Sequence, residues 1–305
     1  MRGEAPPAWT TRRLLAWIAD ALTKKGVESP RLCAELLVSH VIGCDRLRLY
    51  MDPDRPAAPL ERENLRSLVA RALDHEPVQY LVGEAWFFAL AFKVDRRVLI
   101  PRPSSETIVE EVLQHARSEG GVGGARGEGV LLADIGTGSG CLAVALLSRL
   151  TGARGIATDL SADALALAGE NARRHGVADR MDLVEGDLLD ALRAHPIARA
   201  RASLHYLVSN PPYIPDAEWP GVPPNVRLHE PEAALRGGGD GLDFVRRLLA
   251  EGPWFLRPRG LLLVEIAEST HAEALGLAES SPDLEGVRIL EDFEGRPRVV
   301  VGRKK

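Results

Sequence analysis

The feature that most constrains the fold is a glycine-rich turn between an apolar strand and a helix. The apolar run Val130–Ala133 precedes the turn, and a helical run from Cys141 to Leu150 follows it; the turn itself is Asp134-Ile-Gly136-Thr-Gly138-Ser-Gly140. Glycines let a backbone turn sharply and bring its amide groups close to a ligand. In open α/β sheets, ligands bind at the carboxyl ends of the strands. This unit therefore predicts an α/β fold with a ligand site at the end of its first strand.

The spacing of the glycines indicates which ligand the turn holds. A dinucleotide-binding G-x-G-x-x-G turn would place its third glycine at position 141, which is Cys141. The spacing found, G-x-G-x-G, fits S-adenosylmethionine better than a dinucleotide. An NAD-linked dehydrogenase is a weaker alternative, because no catalytic acid-base cluster is evident. The predicted cofactor-binding residues of the turn are Gly136, Thr137, Gly138, Ser139 and Gly140.

An acidic residue follows the next predicted strand, Arg154–Thr158. At this position Asp159 can accept hydrogen bonds from both hydroxyls of a ribose. The alternative is that Asp159 caps the following helix, but Ser161 is the better N-cap candidate. We therefore expect Asp159 to bind the cofactor.

A third predicted strand, Met181–Val184, leads into Glu185-Gly-Asp187-Leu188. Asp187 can accept a hydrogen bond from an adenine amine, with Leu188 beside the ring. A solvated loop acid is an equally common reason for such a residue. Asp187 and Leu188 complete the predicted cofactor site.

The sequence Asn210-Pro211-Pro212-Tyr213 follows the apolar run Leu204–Ser209. The prolines fix φ and hold their predecessors extended, so the Asn210 amide and the Pro211 carbonyl are positioned before a ligand arrives. These two oxygens can accept the hydrogens of a planar NH2 group, while the Tyr213 ring stacks on its face. A proline-stiffened strand exit is the alternative, which the position beside the glycine turn disfavours. The predicted substrate is an amide or a base amine.

These motifs together resemble the S-adenosylmethionine-dependent amino-group methyltransferases of the seven-stranded class. Members with a similar Asn-Pro-Pro-Tyr loop include adenine-N6 DNA methyltransferases, some ribosomal RNA guanine methyltransferases, and the release-factor glutamine methyltransferases of the HemK family. Further blocks are similar to this last family, over nearly the whole chain from about residue 11. They are Glu76–Glu84, Trp86-Phe-Phe88, Val98–Pro103, Asn225–Leu235 and Gly238–Asp243.

The chain departs from that family pattern at four positions. Ser104 and Ser105 precede Glu106, where the family usually has an acid and a threonine. Ala267 and Thr270 follow Glu265, where it usually has a glycine and a glutamine. We expect these departures to affect fine details of the cofactor lid and a local turn, and to leave the methyl-transfer loop untouched.

The resemblance implies a seven-stranded Rossmann-like sheet with a small N-terminal helical domain, joined by a β-hairpin linker. The expected division is residues 1–77 for substrate recognition, 78–104 for the linker, and 105–305 for the methyltransferase domain. Predicted strands near residues 130, 154, 181, 204 and 261 alternate with helices or loops, which indicates a parallel sheet. Gly286–Leu290 and Arg298–Gly302 are expected to form a terminal antiparallel pair, and the linker hairpin to turn at Asp95-Arg96.

The first ~75 residues have the pattern of short amphipathic helices. Thr10 or Thr11 can cap the first helix, Ser29-Pro30 begins the second, and Gly43 ends it. His40 falls on an apolar face, and we expect it in the core. By itself this region could dock a protein substrate or act as a structural cap on the catalytic domain.

The resemblance also implies an activity. It is methyl transfer from S-adenosylmethionine to the side-chain amide nitrogen (N5) of the glutamine in the Gly-Gly-Gln motif of class-1 peptide-chain release factors. Asn210, Pro211 and Tyr213 are the expected catalytic residues; they bind the substrate together with Pro212, and Asn210 also contacts the cofactor. We expect a cytoplasmic monomer that uses neither a metal nor a membrane.

Charge separates this activity from its main alternative, a methyltransferase that acts on a nucleic-acid base. Residues 1–80 hold 12 Lys and Arg against 11 Asp and Glu, and the remainder holds 26 against 32. The two parts carry +1 and −6, whereas proteins that bind a phosphate backbone usually have a basic excess. The charge balance therefore disfavours nucleic acid as the substrate. A catalytically silent scaffold is a further alternative. The presence of the glycine turn, Asp159 and the Asn210-Pro-Pro-Tyr loop together argues against it.

Cysteine, histidine and hydropathy patterns exclude several other classes. The three cysteines, Cys33, Cys44 and Cys141, form no C-x-x-C pair, which favours a reducing compartment. The eight histidines show no H-E-x-x-H spacing typical of zinc enzymes. No apolar run approaches the ~20 residues needed to span a bilayer.

Overall fold

The computed structural model describes residues 9–118 and 126–305. The chain forms two compact units. One contains the described residues up to Glu84 together with Pro223–His229, and the other contains Ala85–Val222 and Glu230–Lys305. No helix among the described residues is long and apolar enough to cross a membrane.

Between Glu106 and Glu279 the strands alternate with helical segments, as the sequence predicts. The α-helices are α1 (Thr11–Lys24), α2 (Pro30–Ile42), α3 (Arg46–Met51), α4 (Pro59–Leu73), α5 (Val78–Val82), α6 (Glu106–Arg117), α7 (Cys141–Arg149), α8 (Ala162–Arg174), α9 (Asp190–Ala194), α10 (Pro224–Arg227), α11 (Asp243–Glu251) and α12 (His271–Glu279). The strands are β1 (Glu84–Phe87), β2 (Leu90–Lys93), β3 (Leu131–Ile135), β4 (Arg154–Asp159), β5 (Met181–Glu185), β6 (Leu204–Ser209), β7 (Leu256–Glu265), β8 (Leu284–Glu291) and β9 (Pro297–Lys304).

In the first unit, helices α1 to α5 contribute apolar side chains to one buried cluster. The Thr10 side chain caps α1 by accepting a hydrogen bond from the Arg13 backbone, and Gly43 ends α2 in the left-handed region. The prediction that His40 lies in the core is wrong, because its side chain is exposed. It lies in the last turn of α2, beside the exposed carboxyl end of the helix.

In the second unit, seven strands form one sheet in the order β5-β4-β3-β6-β7-β9-β8. The first five are parallel, and the terminal β8–β9 pair is antiparallel, as predicted. Ile135, at the end of β3, pairs with Thr158 on one side and Ser209 on the other. The predicted α/β fold is confirmed, and the register brings the ends of these three strands to one edge.

The core of this unit lies on both faces of the sheet. Tyr206 and Val208 of β6 belong to one apolar cluster, and Leu207 between them belongs to the other. Alternate side chains of a strand point to opposite faces, so a strand covered on both sides is continuously apolar. All six residues of the run Leu204–Ser209 are accordingly buried, including the polar His205 and Ser209.

The β1–β2 hairpin does not turn where the sequence predicts. It turns at Phe88 and Ala89, both of which have positive φ (50° and 60°), and not at Asp95-Arg96. A two-residue turn with positive φ matches the twist of the strands, but it usually contains glycine or asparagine. Asp95 instead accepts hydrogen bonds from the backbone and guanidinium of Arg97.

Candidate active site

A cavity of about 640 Å³ opens at the carboxyl edge of the parallel strands. Its volume lies within the range of ~300–1,000 Å³ typical of small-molecule sites. Among the described residues, Gly140 and Tyr213 are the two predicted site residues that do not line it. Those that do are Gly136, Thr137, Gly138, Ser139, Asp159, Asp187, Leu188, Asn210, Pro211 and Pro212.

Hydrogen bonds fix the glycine turn at the carboxyl end of β3. Thr137 donates its hydroxyl to Asp134 at 2.7 Å and its backbone N–H to the Thr158 carbonyl at 2.8 Å. Gly136 and Gly138 have positive φ, and a Cβ at either would meet no atom within 4 Å. Such a Cβ would project into open space, so the turn offers a cradle for a ligand that approaches the backbone closely.

Gly140 has a different role from the two glycines before it. A Cβ there would lie 3.2 Å from the Ala168 side chain of α8, with φ at +81°. Gly140 thus permits close packing of α7 against α8 and does not face the cavity. Gly140 therefore supports the glycine turn and does not line the predicted cofactor site.

Asp159 lies beside the glycine turn. Its carboxylate accepts hydrogen bonds from the backbone N–H of Gly138 and of Ser161, each at 2.9 Å. The Ser161 side chain caps α8 by accepting from Ala164, as predicted. A carboxylate has about four acceptor positions, so Asp159 retains capacity for a ligand's hydroxyls.

Asp187 and Leu188 line the cavity beyond β5. Asp187 also accepts a 2.8 Å hydrogen bond from Arg247, a partner that the sequence did not indicate. Leu188 has a φ of 46°, unusual for a leucine, which turns the chain at this point. The arrangement puts an apolar side chain next to a partly neutralised carboxylate.

Asn210 presents an unpaired oxygen. Its Nδ2 donates to the Ser105 hydroxyl at 3.1 Å, whereas its buried Oδ1 has no hydrogen-bond partner among the described residues. A buried carbonyl without a donor costs about 1–3 kcal/mol. Because Asn210, Pro211 and Pro212 all line the cavity, a ligand NH2 group could remove this cost.

The expectation that the departures from the family pattern leave the methyl-transfer loop untouched is wrong, because Ser105 accepts a hydrogen bond from Asn210. Glu265, at the end of β7, is fully buried and accepts hydrogen bonds from the hydroxyls of Ser104 and Ser105. Burial raises the pKa of Glu265 to about 7, against the lowering effect of the two hydroxyls and of Arg298 and Arg102. The only signals for this group were an acid at a strand end and two serines that depart from the family pattern.

Tyr213 belongs to this same group. Its hydroxyl lies 3.5 Å from Glu265 Oε1. Burial is the main cause that raises the pKa of Tyr213 well above its usual value, and the charge of the adjacent Glu265 is the second cause. The phenol is therefore neutral. In this structure Tyr213 therefore supports the loop from behind, and the expected stacking on the substrate would need its ring to reach the cavity.

The glycine run Gly237–Gly241 packs against the Asn210 loop. Gly237 donates its N–H to the Ile214 carbonyl at 2.9 Å, and Asp216 donates to the Gly238 carbonyl at 3.0 Å. Ile214 also forms a parallel bridge with Arg236. The chain after Tyr213 is thereby fixed by backbone hydrogen bonds.

Comparison with solved structures supports the fold. A crystal structure of the hMettl16 catalytic domain in complex with the MAT2A 3'UTR hairpin 6 has a TM-score of 0.51 at 18% identity, and the match covers 72% of this chain and 76% of that one. At this identity the likeness concerns the fold alone. It is a Rossmann-like methyltransferase fold.

Two family models match different parts of the sequence. The PrmC N-terminal domain matches residues 13–83, and a precorrin methyltransferase domain matches residues 124–200. The first corresponds to the helical region, and the second starts before β3 and ends after α9.

Curated relatives match over nearly the whole chain. A release factor glutamine methyltransferase of Geobacter sulfurreducens is 42% identical over 98% of this chain and 99% of its own length. One from Chlorobaculum tepidum is 40% identical over 93% and 94%. The predicted resemblance is confirmed. With this identity, this coverage and a methyltransferase fold, the chain belongs to the release factor glutamine methyltransferase family.

Proposed function

We propose that this protein methylates the side-chain amide nitrogen (N5) of the glutamine in the Gly-Gly-Gln motif of class-1 peptide-chain release factors. The relatives' activity supports this substrate. The observation that carries the proposal is the buried, unpaired Oδ1 of Asn210, a residue that lines the cavity, because this oxygen lacks the N–H donor that a planar NH2 group would supply. The helical region of residues 1–77 would dock the release factor, and we expect the enzyme to act as a cytoplasmic monomer.

The proposed cofactor is S-adenosylmethionine, which supplies an electrophilic methyl group when bound. The open space before Gly136 and Gly138 fits its methionine portion, and the acceptors of Asp159 fit its ribose hydroxyls. Asp187 and Leu188 would take the adenine. These groups are polar where the cofactor is polar and apolar where it carries a ring.

The task of the protein residues is orientation, because an amide nitrogen is a poor nucleophile with a delocalised lone pair. Asn210 Oδ1 and the Pro211 carbonyl would accept the two N–H groups and direct the nitrogen lone pair at the methyl carbon. As the C–N bond forms and the C–S bond breaks, positive charge on nitrogen strengthens both hydrogen bonds. One N–H proton then leaves to solvent, so a strong base is unnecessary.

Transfer of a labelled methyl group tests this function directly. Purified release factor should acquire label from S-adenosylmethionine, and the same factor with alanine in place of the Gly-Gly-Gln glutamine should acquire none. Equal labelling of both would mean a different target residue. Label on RNA or DNA, with none on the factor, would contradict the proposal.

A second prediction concerns the cofactor alone. Asp159→Ala should weaken S-adenosylmethionine binding about 10- to 100-fold, the effect of losing hydrogen bonds to a charged acceptor. Calorimetry measures the affinity for S-adenosylmethionine. Asp163→Ala is the control, because Asp163 is exposed and its substitution removes an equal charge nearby. Unchanged affinity in Asp159→Ala would identify another residue as the ribose ligand.

A further inference from the structure

The Asn210 side chain can point either its oxygen or its NH2 group into the cavity, and only the oxygen accepts a substrate N–H. In the structure, Nδ2 donates to Ser105 Oγ, and Ser105 in turn donates to Glu265 Oε2. Three residues distant in sequence thus form one directed chain of hydrogen bonds. The direction of this chain decides which side-chain atom of Asn210 is paired and which is left free.

We propose that Ser105 and Glu265 are positioning residues that hold the Asn210 oxygen toward the substrate. An ionised carboxylate can only accept, so it takes the single hydroxyl hydrogen of Ser105. Ser105 is then left with lone pairs, which can pair with the Asn210 NH2 but not with its oxygen. As a consequence Nδ2 is occupied by Ser105, and the buried Oδ1 is the side-chain atom of Asn210 left for a substrate N–H. The substrate role of Asn210 in this inference rests on the proposed function.

Protonation of Glu265 would remove this control. A protonated Glu265 can donate to Ser105, whose hydroxyl is then free to donate to Oδ1 and to turn the Asn210 amide over. The groups that face Glu265 are the hydroxyls of Ser104 and Tyr213 and the cations Arg298 and Arg102, with the Cys141 thiol nearby. Burial outweighs the two cations and raises the pKa of Glu265 to about 7. The ionised form is the active one, so turnover should fall as the pH decreases through about 7.

Variants at two adjacent serines separate positioning from structure. Ser105→Ala should lower kcat for release-factor methylation at least ~10-fold, because the Asn210 amide loses its orientation, with S-adenosylmethionine affinity within about twofold. Ser104→Ala is the matched control: it loses a 3.3 Å hydrogen bond to the same carboxylate but leaves the chain to Asn210 intact. Its kcat loss should stay below about threefold at a pH well above 7, where Glu265 is ionised even without the Ser104 hydroxyl that lowers its pKa. Ser105→Thr keeps the hydroxyl and should recover most of kcat.

Glu265→Gln supplies the pH test. Its kcat should be reduced at pH 8 and should lack the decrease below pH 7 that the wild type shows. Three results would each overturn the proposal. The first is an equal loss of kcat in the two serine-to-alanine variants, and the second is a Ser105→Ala kcat near that of the wild type. The third is a Ser105→Thr variant that binds cofactor normally but is as slow as Ser105→Ala.

A measurement without substrate separates this inference from the proposed function. The side-chain NH2 resonances of Asn210, assigned by their loss in Asn210→Ala, should titrate with an apparent pKa of about 7 in the wild type. They should be independent of pH in Glu265→Gln. Resonances that do not shift in the wild type would refute the positioning role. If they titrate although no release factor is methylated, the positioning role stands and the proposed substrate is wrong.

Discussion

Asn210→Ala is expected to lower the rate of methyl transfer at least ~100-fold, the effect of removing one hydrogen-bonding group that stabilises a transition state. The variant loses the oxygen that would hold the substrate NH2, and the Pro211 carbonyl alone cannot fix the orientation of the amide. Single-turnover transfer of labelled methyl to a release factor measures this loss without interference from product release.

Binding measurements control this prediction. S-adenosylmethionine should bind Asn210→Ala with nearly normal affinity, because the glycine turn and Asp159 remain. Near-normal turnover in the variant would show that Asn210 does not hold the substrate. A large loss of cofactor affinity would mean that Asn210 acts mainly through the cofactor.

Gly241→Ala is expected to have the second large effect, on both stability and turnover. Gly241 has a φ of +79°, and a Cβ there would lie 2.5 Å from the Tyr213 carbonyl oxygen and 3.0 Å from Pro215. Left-handed backbone strain and overpacking together should lower the free energy of unfolding by about 2–4 kcal/mol. Since the displaced backbone continues into Pro212 and Asn210, kcat should also fall, as denaturant unfolding and the methyl-transfer assay would show.

Gly239→Ala is the matched control for this substitution. A Cβ at Gly239 would meet no atom within 4 Å, and its φ lies outside the left-handed region. We expect an unfolding free energy within about 0.5 kcal/mol of the wild type and normal kcat. Equal effects of the two substitutions would show that the glycine run is not a specific support for the Asn210 loop.

Local sequence signals predicted much of the fold correctly, because they depend on few residues. Gly43 ends α2 and Ser161 caps α8, each through contacts with its own helix. The hairpin turn was misplaced because Phe88 and Ala89 adopt positive φ against their own preference. Phe87 and Phe92 beside the turn are fully buried, and this packing can offset the strain. A short-range turn rule contains no such information.

The sequence by itself determined the candidate site as a set of loops: the glycine turn, Asp159 and the proline-fixed Asn210. Backbone restrictions within a few residues shape each of them, and a parallel sheet must bring its carboxyl ends to one edge. Only the tertiary structure decided which residues contact the Asn210 side chain. Ser105 and Glu265 are 160 residues apart, and burial at the end of β7 takes Glu265 out of water. Its raised pKa and its direction of hydrogen bonding are properties of that burial, since desolvation depends on everything that packs around the group.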